Sequence, residues 1–259
     1  MRLMSLQQRI EKAGHQGRIA LIPFITSGFP ELESFSRILR ELDESGADII
    51  EIGVPFSDPV VDGPVVEETS RKALASGVSL AWTLRQLAEL RPRLTAGLVL
   101  MGYYNPFLQY GLERLAKDAS GAGVQGLIVP DLPLDEDGPL HAALARHHLD
   151  LIALVGPNTK DERMRAYAAA ASGYVYAVSV MGTTGVRREL PMEAVQTVRR
   201  AREIFGLPVA LGFGIHKPEQ IWTMPVPPHA VVFGSALLRR LAAGGSAREF
   251  MEPWMKRNS

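Results

Sequence analysis

The sequence predicts an α/β fold, a closed (β/α)8 TIM barrel, on three observations. Short apolar runs recur along the 259 residues, stretches with helical spacing separate them, and the alternation continues through most of the chain. The apolar runs are continuous rather than alternating, which is typical of parallel strands covered on both faces. Eight such strand-helix units at this length favour a closed barrel over an open doubly wound sheet. We therefore expect a single domain spanning residues 1–259.

Eight segments are predicted to form the strands. Each is short and dominated by aliphatic residues, as buried parallel strands are. In chain order they are residues 18–25, 47–53, 96–103, 124–130, 149–155, 173–180, 208–214 and 229–234. Because all strands of such a barrel end at the same rim, the residues that follow these segments should lie close together in space.

Six longer segments between the strands have the apolar spacing of amphipathic helices, and several carry end signals. Pro30 opens the first of them and Gly46 closes it, while Ser79 is a favourable N-cap for the second. In chain order the segments are residues 30–46, 79–94, 112–123, 134–148, 159–173 and 190–206.

Two departures from a regular barrel are expected. An extra N-terminal helix over residues 4–14 precedes the first strand. Helix 7 should be shortened to one or two turns, because Pro225, Pro227 and Pro228 lie close together after the seventh strand. Proline removes a backbone donor and cannot continue the interior of a helix.

Charge and composition exclude several classes of function. The 28 basic and 28 acidic residues balance, so nothing indicates a nucleic acid or an anionic membrane as a partner. The chain has no cysteine, which excludes disulfides and thiolate chemistry. The N-terminal segment lacks the apolar core of a signal peptide, and no apolar run approaches the length of a spanning helix. We expect a cytoplasmic protein, without a metal site because the six histidines show no ligand spacing.

Glu51 is the most informative residue because it interrupts an apolar strand. A carboxylate is costly to bury unless it is paired or has a chemical task. Strand geometry points its side chain away from those of Ile50 and Ile52, and barrel enzymes act at the carboxyl ends of their strands. Taken alone, Glu51 fits a buried ion pair with a lysine or arginine as well as it fits catalysis. Its position and the nearby Asp62 favour catalysis.

Two other loop carboxylates have a simpler interpretation. Asp58 stands in a Ser-Asp-Pro segment and Asp131 in a Pro-Asp-Leu-Pro segment. Aspartate beside proline commonly forms turns by accepting hydrogen bonds from nearby backbone N–H groups. We therefore assign both residues to turn structure rather than to catalysis.

Glycines at the ends of two late strands predict a phosphate site. The Gly-Phe-Gly segment 212–214 ends the seventh strand, and the Gly-Ser pair 234–235 ends the eighth and opens a helix. Glycine lets backbone N–H groups approach an anion, and a helix N-terminus attracts negative charge. Barrels often bind phosphate in these two loops. The alternative is that the glycines only form tight turns.

The segment IEIGVPFSDPVVDGP, residues 50–64, resembles the signature of the tryptophan synthase alpha chain family. The resemblance covers nearly the whole chain. Supporting motifs follow in the family's order and spacing, namely LIPFITSGFP, MGYYNP, PDLP, GTTG, GFGI, PEQ and GSAL. The strand-2 motif is highly specific, and the others support it.

This resemblance implies a TIM-barrel lyase that cleaves indole-3-glycerol phosphate by a retro-aldol reaction to indole and glyceraldehyde 3-phosphate, in tryptophan biosynthesis. It makes Glu51 the catalytic acid/base and Asp62 the carboxylate that accepts the indole N–H. The implied substrate-binding residues are Phe24, Tyr176 and Thr184. The implied phosphate-binding residues are Gly185, Gly212, Phe213, Gly214, Gly234 and Ser235.

The resemblance also implies a partner. No cofactor is expected in this chain, and pyridoxal phosphate is expected in the partner tryptophan synthase beta subunit of an alpha2-beta2 heterotetramer. Thr183 and Glu67 depart from the family's usual Val and Gln, and the proline-rich segment 223–228 replaces a longer helix. Two alternatives stay open, a stand-alone indole-glycerol-phosphate lyase and a weakly catalytic regulatory subunit. The presence of both Glu51 and Asp62 argues against the second.

Overall fold

The computed structural model describes residues 4–178, 190–212 and 214–255. Within these ranges nine short strands, all paired in parallel, form one sheet that helices surround. The strands are Ala20–Thr26 (β1), Ile49–Gly53 (β2), Gly97–Met101 (β3), Gly126–Ile128 (β4), Asp150–Leu151 (β5), Ala153–Val155 (β6), Val175–Val178 (β7), Val209–Gly212 (β8) and Ala230–Phe233 (β9). Each lies inside one of the eight predicted segments or overlaps it.

The strand count differs from eight because the fifth segment is interrupted at Ile152. β5 pairs with β4, whereas β6 pairs with β7, so residues 150–155 bridge the two halves of the sheet. This bridge joins the two ends of the strand order and brings the sheet round into a barrel. The predicted barrel is therefore confirmed, with its fifth strand split into two short pieces.

The helices lie outside the barrel. Within the described ranges they are Leu6–His15 (α1), Leu32–Glu44 (α2), Pro64–Ala75 (α3), Leu80–Leu90 (α4), Tyr104–Tyr110 (α5), Leu112–Gly121 (α6), Gly138–Arg146 (α7), Asp161–Ala170 (α8), Met192–Ile204 (α9), Glu219–Trp222 (α10), Ser235–Ala242 (α11) and Ala247–Met255 (α12). The extra N-terminal helix is confirmed as α1, and the shortened helix 7 is confirmed as the four-residue α10. None of the described helices is long and apolar enough to cross a membrane.

Helix α3 was not predicted, and its buried face explains why. The residues that α3 buries are Thr69, Ser70 and Ala73, which are small or carry a hydroxyl group. The Thr69 hydroxyl lies 2.7 Å from that of Thr26 at the end of β1, so a buried hydrogen bond holds the helix against the barrel. A helix that packs through small and polar residues has no apolar periodicity to detect.

Strand register brings two candidate residues to the same level of the barrel. Phe24 on β1 is the register partner of Glu51 on β2, and Glu51 is in turn the partner of Val99 on β3. Register partners on neighbouring parallel strands point to the same face of the sheet. Phe24 and Glu51 therefore project from the same face, side by side near the carboxyl ends of their strands.

Candidate active site

A cleft opens at the carboxyl ends of the strands and contains many of the predicted site residues. Its lining combines aliphatic and aromatic side chains with a few polar groups, which is the usual composition of a small-molecule site. The predicted residues that line it are Phe24, Asp62, Tyr176, Gly214, Gly234 and Ser235. The structure thus brings together residues from five different strand ends or loops.

Glu51 is fully buried beside this cleft but does not line it. Its Oε1 accepts a hydrogen bond of 2.7 Å from the Tyr174 hydroxyl, while Oε2 has no hydrogen-bond partner among the described residues. No lysine or arginine among the described residues forms an ion pair with Glu51, so the alternative of a buried ion pair has no support in them. Two cleft-lining side chains adjoin it: its register partner Phe24, and Tyr176, whose pKa the Glu51 charge helps to raise.

Burial gives Glu51 an unusual protonation state. Removal from water raises the pKa of its carboxyl from 4.5 to about 8, and the hydrogen bond from Tyr174 only partly opposes this shift. At neutral pH the group is therefore mostly a neutral acid with a proton to donate. A carboxyl whose pKa lies near the working pH can serve as both acid and base.

Asp62 lies in the loop after β2, and its protonation state at neutral pH differs from that of Glu51. It is half-buried and hydrogen-bonded to the Tyr103 side chain, whose hydroxyl also accepts the Val61 N–H at 3.3 Å. Burial raises the pKa of Asp62 to about 6, the Tyr103 hydrogen bond lowers it, and the charge of Glu67 raises it. Asp62 is thus mostly ionised at pH 7. With one neutral acid and one ionised carboxylate beside the same cleft, one group can donate a proton while the other stabilises positive charge.

One part of the cleft lining, at the start of α11, is suited to an anion. Gly234 is the N-cap of α11 and provides no side-chain hydrogen bond, so N–H groups of the first turn remain open to a ligand. A Cβ atom at Gly234 would lie 2.9 Å from the Phe24 ring, which explains the need for glycine at this close approach. Arg239, one turn after Ser235, adds a positive side chain to the same lining.

Gly212 lies next to Tyr176 at the end of β8. It is not part of the lining, and a Cβ atom there would lie 2.0 Å from the Tyr176 hydroxyl. Gly212 therefore makes room for Tyr176 inside the barrel. Gly214, by contrast, lines the cleft and has a positive φ of 73°, a backbone conformation that favours glycine.

Several predicted residues lie elsewhere or outside the described ranges. Asp58 is exposed and accepts a hydrogen bond from the neighbouring Ser57 hydroxyl, in keeping with a loop role. Asp131 accepts a 2.9 Å hydrogen bond from the Tyr104 N–H and so ties the loop after β4 to the start of α5. The predicted residues that fall outside the described residues are Thr184, Gly185 and Phe213.

Two residues of the site, Tyr174 and Arg239, were not predicted from the sequence. Tyr174 precedes Tyr176 by two positions, and residues two apart on a strand share a face, so this spacing was a usable signal. Arg239 follows Ser235 by four positions on a helix, which also places both on one face. Among residues 4–178, 190–212 and 214–255, no group of three or more histidine, aspartate or glutamate residues could hold a metal ion.

The buried carboxyl predicts a pH-dependent stability. Folded protein keeps the Glu51 proton up to about pH 8, whereas an unfolded glutamate loses it near 4.5, so the unfolded chain binds fewer protons between these values. The free energy of unfolding should therefore fall as pH rises through this window, by up to a few kcal/mol from Glu51. Urea unfolding at pH 5 and pH 8 should show a smaller loss for Glu51→Gln than for wild type. Equal losses would contradict the raised pKa.

Comparisons with known proteins agree on one family. The model of the family "Tryptophan synthase alpha chain" matches residues 10–256. The tryptophan synthase alpha chain of Nitratidesulfovibrio vulgaris strain Hildenborough is 62% identical over 97% of this chain and 98% of its own length. That of Maridesulfovibrio salexigens is 50% identical over 98% of this chain and its own full length.

Solved structures give the same result. A chain of Mycobacterium tuberculosis tryptophan synthase superposes with a TM-score of 0.89 at 34% identity, covering 98% of this chain and 96% of that one. Tryptophan synthase subunit alpha of Legionella pneumophila superposes with a TM-score of 0.86 at 30% identity, covering 98% of each. The chain therefore belongs to the tryptophan synthase alpha chain family, the lyase subunits that cleave indole-3-glycerol phosphate in tryptophan biosynthesis.

Proposed function

We propose that the family reaction takes place in the cleft at the strand ends, with Glu51 as acid/base and Asp62 as its partner. The observation that carries this proposal is the position of two carboxyl groups at one cleft: Glu51 is fully buried beside Phe24, which lines it, and Asp62 lines it directly. Burial raises the pKa of Glu51 to about 8 and that of Asp62 to about 6. One end of that cleft offers helix N–H groups and an arginine to a phosphate. A cleft with an apolar lining, an acidic group and an open helix N-terminus suits an aromatic ring joined to a phosphorylated chain.

The chemistry follows from these groups. Glu51 gives its proton to indole C3, and Asp62 accepts the ring N–H, which stabilises the cationic indolenine that forms. The bond between C3 and the side-chain carbon then breaks, and its electron pair returns to the ring. The adjacent hydroxyl becomes an aldehyde as its proton passes to the Glu51 carboxylate, which restores the acid. Because Glu51 lies beside the cleft, its side chain must reach the substrate past Phe24 and Tyr176.

Binding has two parts in this proposal. Phe24 and Tyr176 contact the indole, with Thr184 assigned there by resemblance alone. The phosphate lies against Gly214, Gly234 and Ser235, where the first turn of α11 is open. Fixing the phosphate orients the reacting carbon between the two carboxyls, which lowers the entropic cost of reaction. By resemblance the phosphate site also includes Gly185, Gly212 and Phe213.

Membership of this family implies a beta subunit as partner, and we extend this to an alpha2-beta2 assembly whose pyridoxal phosphate is held by the beta subunit. Exposed apolar side chains next to the cleft-lining Asp62 support a protein contact there: Val60 is 74% exposed and Val61 41% in the loop after β2. Large exposed aliphatic side chains close together often mark an interface. A cytoplasmic location belongs to the same proposal.

An assay of indole release, with and without added beta subunit, tests the function. We expect slow release by the chain alone and a large stimulation by the beta subunit. High activity without stimulation would instead identify a stand-alone lyase. No release under either condition would overturn the proposal and favour a regulatory binding subunit. Indole itself, followed by its absorbance and by chromatography, is the appropriate readout.

A further inference from the structure

We propose that Gln220 is a positioning residue that holds the loop after β8 in the conformation that receives the phosphate. This loop, residues 214–218, contributes Gly214, Ile215 and His216 to the cleft lining. Gln220 itself does not line the cleft and is only 5% exposed. The inference rests on the proposed function, since it assigns a task within the same site.

The Gln220 side chain is bonded to the loop backbone on both of its polar atoms. Its Oε1 accepts hydrogen bonds from the backbone N–H of His216 at 2.9 Å and of Lys217 at 3.0 Å. Its Nε2 donates to the backbone carbonyl of Gly214 at 3.3 Å. The single amide group of Gln220 thus links the carbonyl of Gly214 to the N–H groups of His216 and Lys217. We call this set of hydrogen bonds the Gln220 clamp.

The loop needs this support because regular structure gives it little. β8 ends at Gly212, and α10 begins only at Glu219 and is four residues long. Gly214 has a positive φ of 73°, a conformation that glycine adopts without steric cost. Because glycine adopts many other conformations equally well, Gly214 alone does not fix the backbone of the loop. A buried amide with several backbone hydrogen bonds supplies the constraint that a longer helix 7 would otherwise provide.

Loss of the Gln220 clamp should weaken phosphate binding and leave the carboxyl groups of Glu51 and Asp62 in place. Gln220 holds Gly214 and the neighbouring backbone, which face the anion-binding end of the cleft. Glu51 and Asp62 belong to β2 and the loop that follows it, and they are fixed by Tyr174 and Tyr103 instead. A displaced loop would therefore weaken contacts made by the phosphate while leaving the proton transfers intact.

Gln220→Met tests the inference, because methionine has nearly the same length and no amide hydrogen bonds. We expect KM for indole-3-glycerol phosphate to rise about tenfold, with kcat within about threefold of wild type. The inhibition constant of inorganic phosphate should rise in parallel, while the inhibition constant of indole stays unchanged. Gln196→Met, an exposed substitution on α9, is the matched control and should leave all four values unchanged.

Other outcomes are decisive as well. Equal falls in kcat and kcat/KM with unchanged phosphate inhibition would overturn the inference. If Gln220→Met does not fold, Gln220→Glu keeps the acceptor for His216 and Lys217 and replaces the donor to Gly214 with a carboxylate oxygen that repels the Gly214 carbonyl. A raised KM in that folded variant would support the clamp, and wild-type phosphate inhibition would overturn it. Failure of the proposed function itself would be recognised separately, because wild-type protein would then release no indole.

Discussion

Glu51→Gln is expected to abolish nearly all cleavage while leaving a folded protein that still binds a substrate analogue. Glutamine fills the same volume and can still accept the Tyr174 hydrogen bond, but it has no proton to give to indole C3 and cannot take one from the hydroxyl. Removing one acid-base group costs about a hundred- to ten-thousand-fold in rate. Since Glu51 performs both transfers, we expect the upper part of this range. Steady-state indole release in the presence of the beta subunit measures it.

The same substitution at a nearby exposed residue provides the control for Glu51. Glu67 lies on α3 and is exposed, and its charge contributes to the raised pKa of Asp62. Glu67→Gln should therefore retain wild-type maximal activity and move only the acidic limb of the pH profile, towards lower pH. Near-normal turnover in Glu51→Gln would show that the acid/base is another group.

Asp62→Asn should reduce kcat by about a hundred- to a thousand-fold, the usual effect of removing one preorganised group that stabilises developing charge. Asparagine still accepts a hydrogen bond from the indole N–H, but it lacks the negative charge that offsets the cationic intermediate. KM should change less than kcat, because the ring is neutral in the bound substrate. Indole-release kinetics at several pH values would measure both constants, and the limb of the profile near pH 6 should disappear.

Asp58→Asn is the control for Asp62 because both residues lie in the loop after β2. Asp58 is exposed, is hydrogen-bonded to Ser57 and does not line the cleft. We expect its replacement to leave kcat and KM in the isolated chain within about twofold of wild type. If both substitutions reduced kcat equally, the effect would come from loop structure and not from the charge of Asp62.

Much of the architecture could be predicted because it depends on local patterns. The eight apolar runs marked the strands, and prolines 225, 227 and 228 predicted the short α10. The split of the fifth strand at Ile152 had no local signal, since Ile152 is apolar and neither glycine nor proline interrupts residues 149–155. Helix α3 was missed because it packs through small and hydroxyl residues, whose contact with β1 is visible only in three dimensions.

Some residues of the candidate site could likewise be predicted from the sequence, and others only from the structure. Glu51 and Asp62 could be chosen from the chain alone, Glu51 because a carboxylate in an apolar strand breaks the expected pattern and Asp62 because it belongs to the same motif. The motif separated Asp62 from Asp58, and the structure adds that Asp62 is half-buried and lines the cleft whereas Asp58 is exposed and does not. Only the structure shows that a Cβ atom at Gly212 would meet the Tyr176 hydroxyl.

Amino-acid order alone was enough to establish the barrel, the strand that carries Glu51 and the family to which the chain belongs, because periodicity and motif spacing are local properties. The folded arrangement was needed to show that Glu51 meets Tyr174, 123 residues away, and that Gln220 clamps the loop after β8. It was also needed to show that burial raises the pKa of Glu51 to about 8 and that of Asp62 only to about 6. A pKa depends on the water and charges around a group, and those are set by packing between distant segments.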